Sequence, residues 1–171
     1  MIETERLSVR PFVEQDFDAL VSLREDWEVR KYLGGVRNTV EFTRQRLDYY
    51  LHHQARYGYS MSVVSLKDSP AMIGWGGLQH FNQGEEVEVG YAFAQAYWGR
   101  GLATELASAW LRFGFTHLGL DRIIAVADEA NLASRRVMEK IGMRHEKNIV
   151  HYGHACVYYA ASPPTGIGRP D

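Results

Sequence analysis

Two glycines one residue apart, Gly99 and Gly101, lie between a strand-like run, residues 87–93, and a helix-like run, residues 102–115. Glycine lets a chain turn sharply and lets a ligand approach the backbone with no Cβ in the way. The helix that follows turns its unpaired N–H groups and the positive end of its dipole toward that turn. Strand, glycine turn and helix N-terminus together form a recurring phosphate cradle, although the same arrangement also serves as a plain connector. Two familiar phosphate motifs are missing. No Gly-x-x-x-x-Gly-Lys-Ser/Thr is present, so a magnesium-bound triphosphate is not indicated. Thr104 stands where a dinucleotide fingerprint would carry its third glycine, and Asp121, about twenty positions on, reads as a turn residue opening a strand. The anion expected here is neither a triphosphate nor a nicotinamide dinucleotide.

A chain of 171 residues suits one domain with a full core, and we assign residues 1–162 to it and 163–171 to a loose tail. Ten tyrosines, seven phenylalanines and four tryptophans supply large apolar surfaces to pack. A formal net charge of −2 with scattered basic residues argues against a nucleic-acid face. Cys156 is the sole cysteine, which excludes an internal disulfide, and its apolar neighbours mark it as a strand residue. With no apolar leader and no run of membrane-spanning length, a cytoplasmic protein with no membrane partner is the expectation.

Residues 7–12 alternate as a strand does. Asp16 is expected to cap a helix running through Leu20, Leu23 and Trp27, which Gly34 and Gly35 then break. Asn38 with Glu41 resembles a capping box opening a second helix through Leu47, Tyr50 and Leu51. Residues 60–66 and 72–81 read as strands about a turn at Lys67–Pro70. After a turn at 82–84, Val87, Val89, Tyr91 and Phe93 share one strand face. Leu102, Leu106, Trp110 and Phe113 recur at helical spacing. Residues 123–127 form a short apolar run suited to a buried strand. Asn131 caps a helix ending at Gly142, with Ala133, Val137 and Ile141 on one stripe. Strands at 143–150 and 155–161 follow. The fold expected is α/β (α+β), a mixed, mostly antiparallel central sheet with helices on both faces.

The order of these elements, with Trp98-Gly99-Arg100-Gly101-Leu102-Ala103 after one strand, Asn131-Leu132-Ala133-Ser134 at a helix start and Gly142-Met143 at its end, resembles the GCN5-related N-acetyltransferases (GNAT). The segments Thr4–Pro11, Glu88–Tyr91, Tyr97–Glu105 and Asn131–Met143 are similar to the RimJ/RimL-like, ribosomal-protein N-terminal acetyltransferase branch, in the right order along most of the chain. The resemblance implies that amides of Gly99, Arg100, Gly101, Leu102, Ala103 and Thr104 bind the pyrophosphate of acetyl-CoA, the cosubstrate. Trp98 takes the place where many relatives carry Gln or Arg. The pantetheine arm is expected along Tyr91, Ala92 and Phe93, where an amide would polarise the thioester carbonyl, and Asn131 is expected to touch the coenzyme arm.

Direct acetyl transfer needs an amine held against the thioester, a base to deprotonate it and a proton for the departing thiolate. Glu88 is the first choice for the base, on the face opposite Val87, Val89 and Tyr91; Glu86, His80, Asp128 and Glu129 are further candidates. Many relatives place a tyrosine acid in the helix after the second cofactor strand, but here the matching position is Met138. Ser134 resembles the residue that protonates the thiolate in the RimJ/RimL-like branch. It reads equally as a hydroxyl at a helix start, and a thiol can also leave unassisted. Trp27, Tyr32, Arg37 and His80 are expected near the acceptor. His145, His151 and His154 match no zinc spacing, so no metal is expected.

The leading function is N-acetyl transfer from acetyl-CoA directly to a primary amine in a ternary complex; the alternative is an acyl-CoA-binding sensor or regulatory subunit without catalysis. The acceptor is a peptide N-terminus or a small amine. An open groove with acidic rims would favour the peptide, an aromatic pocket the small molecule. A homodimer is compatible with the branch, and no residue here specifies one.

Overall fold

The computed structural model describes residue 2, residues 4–33 and residues 39–164. Seven strands form one sheet: β1 (Leu7–Pro11), β2 (Met61–Leu66), β3 (Gly74–His80), β4 (Val87–Phe93), β5 (Ile123–Asp128), β6 (Arg144–His151) and β7 (His154–Ala161). Their spatial order is β1-β2-β3-β4-β5-β7-β6. Every neighbouring pair is antiparallel except β4 and β5, which run parallel. That parallel crossover is carried by α4 (Leu102–Thr116), since parallel strands cannot be joined by a tight turn. The mixed, mostly antiparallel sheet expected from the sequence is the one observed.

Strand alternation sends side chains to two layers. Val87, Val89 and Phe93 of β4 enter the larger core with Leu102, Leu106 and Trp110 of α4 and Met138 of α5 (Leu132–Lys140). On the other face, Met61, Val63 and Trp75 pack against Leu20 of α1 (Phe17–Glu25) and Leu47 and Tyr50 of α3 (Val40–Tyr57). A third, smaller cluster joins Ile124, Tyr158 and Ala160 toward the far end of the sheet. β3 carries Gly74, Gly76 and Gly77 because neighbouring backbones come close: a Cβ on Gly77 would lie 2.1 Å from the Ser60 carbonyl oxygen.

Three local expectations need correction. Asp16 does not cap a helix through Trp27. Its carboxylate is taken by Arg10, at 2.6 and 2.7 Å, and by the Val13 N–H at 2.9 Å. α1 ends at Glu25 because Asp26 leaves helical geometry with ψ of 119°, and Asp26 caps a separate short helix, α2 (Trp27–Arg30), by accepting from Glu28 N–H. Asn38, Gly34 and Gly35 lie outside the described residues; α3 is capped by Thr39, whose Oγ1 accepts from Phe42 N–H at 3.0 Å. In α5 the buried residue is Met138 rather than Ala133, which is exposed. Asn131 does cap α5, accepting from Ser134 N–H at 3.1 Å.

Candidate active site

β4 and β5 share a single register pair, Glu88 with Ile124, whereas β3 pairs with β4 along its whole length. Beyond Glu88 the two parallel strands part, and a cleft of about 910 Å³ opens there. The β4 edge from Gly90 to Phe93 thus turns unpaired backbone groups toward the gap, and such an edge invites an extended ligand arm.

The glycine loop closes one end of this cleft. Gly99 and Gly101 have φ of +72° and +76°, the left-handed region that glycine enters without penalty. α4 starts at Gly101 with no side-chain cap, so its first-turn amides keep their capacity for an anion. Gly99, Gly101, Leu102, Ala103 and Thr104 all line the cleft. Two contacts fix the loop: Trp98 Nε1 donates to the Phe93 carbonyl at 2.7 Å, and Arg6 Nη1 donates to the Arg100 carbonyl at 2.9 Å. Arg6 also pairs with Glu105 of α4 at 2.7 Å, tying the N-terminal segment to the cradle. Arg100 turns its guanidinium over the Tyr97 ring and does not line the cleft.

Glu88 lies on the cleft wall, half-buried. Burial pushes its carboxyl up to about 7, against the pull of a hydrogen bond from Gln79 and the field of Arg46. Gln79 is the cross-strand partner of Glu88; its Nε2 donates to Glu88 Oε1 at 2.5 Å, and its Oε1 accepts from Arg46 Nη2 at 2.8 Å. A carboxylate that titrates near neutrality beside open space is suited to general-base work.

Across the gap, Ser134 Oγ lies 3.1 Å from the Tyr91 hydroxyl, which also donates to the Ser134 carbonyl at 3.2 Å. Burial pushes the Tyr91 phenol up to about 12, opposed by its bond to Ser134. Met138 is sealed in the core, so the only phenol in contact with Ser134 among the described residues comes from β4 rather than from α5.

Of the expected acceptor residues, Tyr32 and His80 line the cleft. His80 Nδ1 lies 2.7 Å from the Gly84 carbonyl. Trp27 does not reach the cleft: it is 59% exposed, with Arg30 over its ring. The short helix set off by Asp26 carries it outward. Arg37 lies outside the described residues. Glu86 accepts from Tyr158 OH away from the cleft, and Asp128 and Glu129 border a separate shallow depression. Sequence reasoning missed Arg24, Arg46, Gln79, Tyr49, Tyr50 and Trp75, all of which line the cleft. A partial signal existed for Gln79, because the hairpin turn at 82–84 sets it opposite Glu88.

The sheet order, the parted parallel strands and the glycine cradle define an acyl-CoA N-acyltransferase. The family described as Acetyltransferase (GNAT) domain matches residues 6–144, and the chain belongs to it. An uncharacterized N-acetyltransferase of Bacillus subtilis (strain 168), YnaD, is 34% identical over 146 residues, 85% of this chain and 83% of its own length. The crystal structure of a GNAT-family acetyltransferase from Bacillus anthracis is 33% identical, with a TM-score of 0.79 over 94% of this chain and 97% of that one. The RimL ribosomal L7/L12 alpha-N-protein acetyltransferase in complex with coenzyme A shares the fold at 20% identity and a TM-score of 0.76, over 94% of this chain and 97% of that one. The protein is an acetyl-CoA-dependent acyltransferase of the GNAT fold.

Proposed function

We propose that the protein transfers acetyl from acetyl-CoA directly to a primary amine in a ternary complex, with residues 1–162 acting as one catalytic domain. The observation that carries this is the placement of Glu88 on the wall of the same cleft whose far end is the Gly99–Gly101 cradle. Coenzyme pyrophosphate seats on the amides from Gly99 to Thr104, and pantetheine runs along the open edge of β4 past Tyr91, Ala92 and Phe93, with Asn131 and Ser134 on the opposite bank. The acceptor arrives as an ammonium and yields one proton to Glu88, which passes it to solvent. Its lone pair then attacks the thioester carbon. The C–N bond forms, the C–S bond breaks, and the second nitrogen proton ends on the thiolate, delivered through Ser134 with Tyr91 orienting its hydroxyl. No covalent acyl-enzyme is required. Within this reading the protein is a RimJ/RimL-like member of the family acting in the cytoplasm.

A Glu88→Gln variant tests the assignment by thiol release and coenzyme binding. We expect kcat/KM to fall about 10²–10³-fold, as for loss of a general base, with the coenzyme Kd unchanged. Full activity in that variant would remove Glu88 from the mechanism. Wild-type protein that binds acetyl-CoA but turns over no amine would instead favour the sensor reading.

A further inference from the structure

β3 runs on past the strand beside it. β2 pairs with β3 only from Met61 opposite Gly77 to Val64 opposite Gly74, so residues 78–80 have no strand on that side. Toward β4 the pairing continues, and Phe81 N–H donates to the Glu86 carbonyl at 2.8 Å. Main-chain groups along an antiparallel strand point alternately to its two neighbours. With Phe81 bonded toward β4, the N–H and C=O of His80 point to the side that β2 does not reach, where leaving them unpaired would be costly.

Two side chains of α3 take the place of the missing strand. Tyr49 OH donates to the His80 carbonyl at 3.2 Å, and His80 N–H donates to His53 Nε2 at 3.1 Å. His53 is only 4% exposed and does not line the cleft. Its Nδ1 faces an acceptor, the Tyr59 carbonyl at 2.7 Å, while its Nε2 faces a donor. Only the neutral ring with its proton on Nδ1 satisfies both. Burial pulls this ring below the ordinary histidine range; His80 and Arg46 add to that, and the Tyr59 carbonyl opposes it. Tyr49 and Tyr57 of α3, Tyr59 before β2 and His80 of β3 pack around it. The turn after β3 is poorly suited to hold the strand end alone. Asn82 and Gln83 there have φ of +49° and +58°, a region that non-glycine residues enter at a cost.

Gln79 stands one residue before His80, opposite Glu88, and donates to its carboxylate. That bond lasts only while the end of β3 keeps its place against β4. Resting on the reading of Glu88 as the base, we propose that His53 is a positioning residue for acetyl transfer: by accepting from His80 N–H it fixes the end of β3 and so keeps the Gln79 donor on Glu88. It acts from behind the cleft wall, through Gln79. Arg46 and Tyr49, the α3 groups whose charges act with that of Glu88, are unchanged in the variants below.

The test compares His53→Asn, which keeps a donor near Nδ1 and offers nothing to His80 N–H, with His53→Gln, whose carboxamide oxygen reaches the Nε2 position. In His53→Asn the acidic inflection of kcat/KM should move to higher pH, leaving about fivefold less activity near pH 6.5 and a small deficit near pH 9. His53→Gln should stay within about twofold of wild type at both. Adding Gln79→Leu to His53→Asn should move the inflection no further than Gln79→Leu alone, because both changes remove the same donor. An unmoved inflection in a folded His53→Asn, an equal shift in His53→Gln, or additive shifts in the double variant overturn the inference. Titrating the Glu88 carboxyl by carbon-13 resonance, without acceptor, separates the two readings. Full activity in Glu88→Gln removes the base, whereas a Glu88 titration unmoved in His53→Asn removes the clamp. Where both His53 variants fold poorly, nitrogen-15 resonances of the wild type decide. A protonated Nδ1, a bare Nε2 and coupling between Nε2 and the His80 amide are expected, and a ring protonated at Nε2 overturns the inference.

Discussion

At the scale of single residues, Glu88 shows how burial and neighbours divide control of a proton. Apolar surroundings push its carboxyl up to about 7, while the donor from Gln79 and the charge of Arg46 hold it from going further. In the proposed mechanism turnover requires the ionised form, so kcat/KM should rise as pH increases through about 7. Removing the Gln79 donor removes a downward influence. In Gln79→Leu the acidic inflection should therefore move to higher pH, leaving less activity at pH 6.5 than in the wild type but a smaller deficit at pH 9. A pH–rate profile checks this, and an unmoved or lowered inflection would contradict the assigned hydrogen bond. The Tyr91–Ser134 contact is the residue-level surprise. The phenol sought in α5 is replaced there by a buried methionine, and a different phenol reaches the same serine from β4.

At the scale of elements, two glycine-bearing segments do different work. In the loop before α4, Gly99 has open space around a hypothetical Cβ, so steric crowding is not what calls for glycine there; its φ of +72° is. Gly99→Ala should carry strain of roughly 1–2 kcal/mol in that backbone region. The free loop can relax away from that conformation, leaving the global unfolding transition little changed, and must regain it on binding, so coenzyme A affinity should fall about tenfold, read by calorimetry. In β3 the demand is close approach. A Cβ at Gly77 would meet the backbone of Ser60 and Met61 at 2.1 and 2.8 Å, and backbone cannot move aside as a flexible side chain can. Gly77→Ala should lower stability by about 3 kcal/mol, the upper range of overpacking, seen as a lower urea midpoint. The short α2 carries a lesson about boundaries. Asp16 is a good cap by type, but Arg10 claims its carboxylate from the neighbouring strand, and Asp26 then restarts the helix.

At the scale of the whole molecule, the cleft exists because one parallel pair interrupts an otherwise antiparallel sheet and then parts. A ligand filling the gap would bridge the two halves of the sheet and bind only the folded state. At a hundred times its Kd, coenzyme A should add about 2.7 kcal/mol, which for a chain of 171 residues is a rise in Tm of roughly 5–10 °C. Differential scanning calorimetry with and without coenzyme measures it, and no shift would count against the cradle.

The element order, the alternation of β4, the positive-φ glycine turn before α4 and the Asn131 cap were legible in the sequence because each rests on local chemistry: spacing along one strand, φ preference at one turn, one side chain reaching its own helix start. What the sequence could not show is contact between elements far apart in the chain. Arg24, Arg46 and Gln79 come from three elements on one side of the cleft, and as isolated letters they look like ordinary helix and strand residues. Only the packing of α1 and α3 on the sheet brings Arg24, Arg46 and Glu88 into a shared pocket. Only the parting of β4 from β5 gives that pocket its depth. Local preference specified the pieces of this protein; burial and long-range pairing determined which of them meet across the cleft.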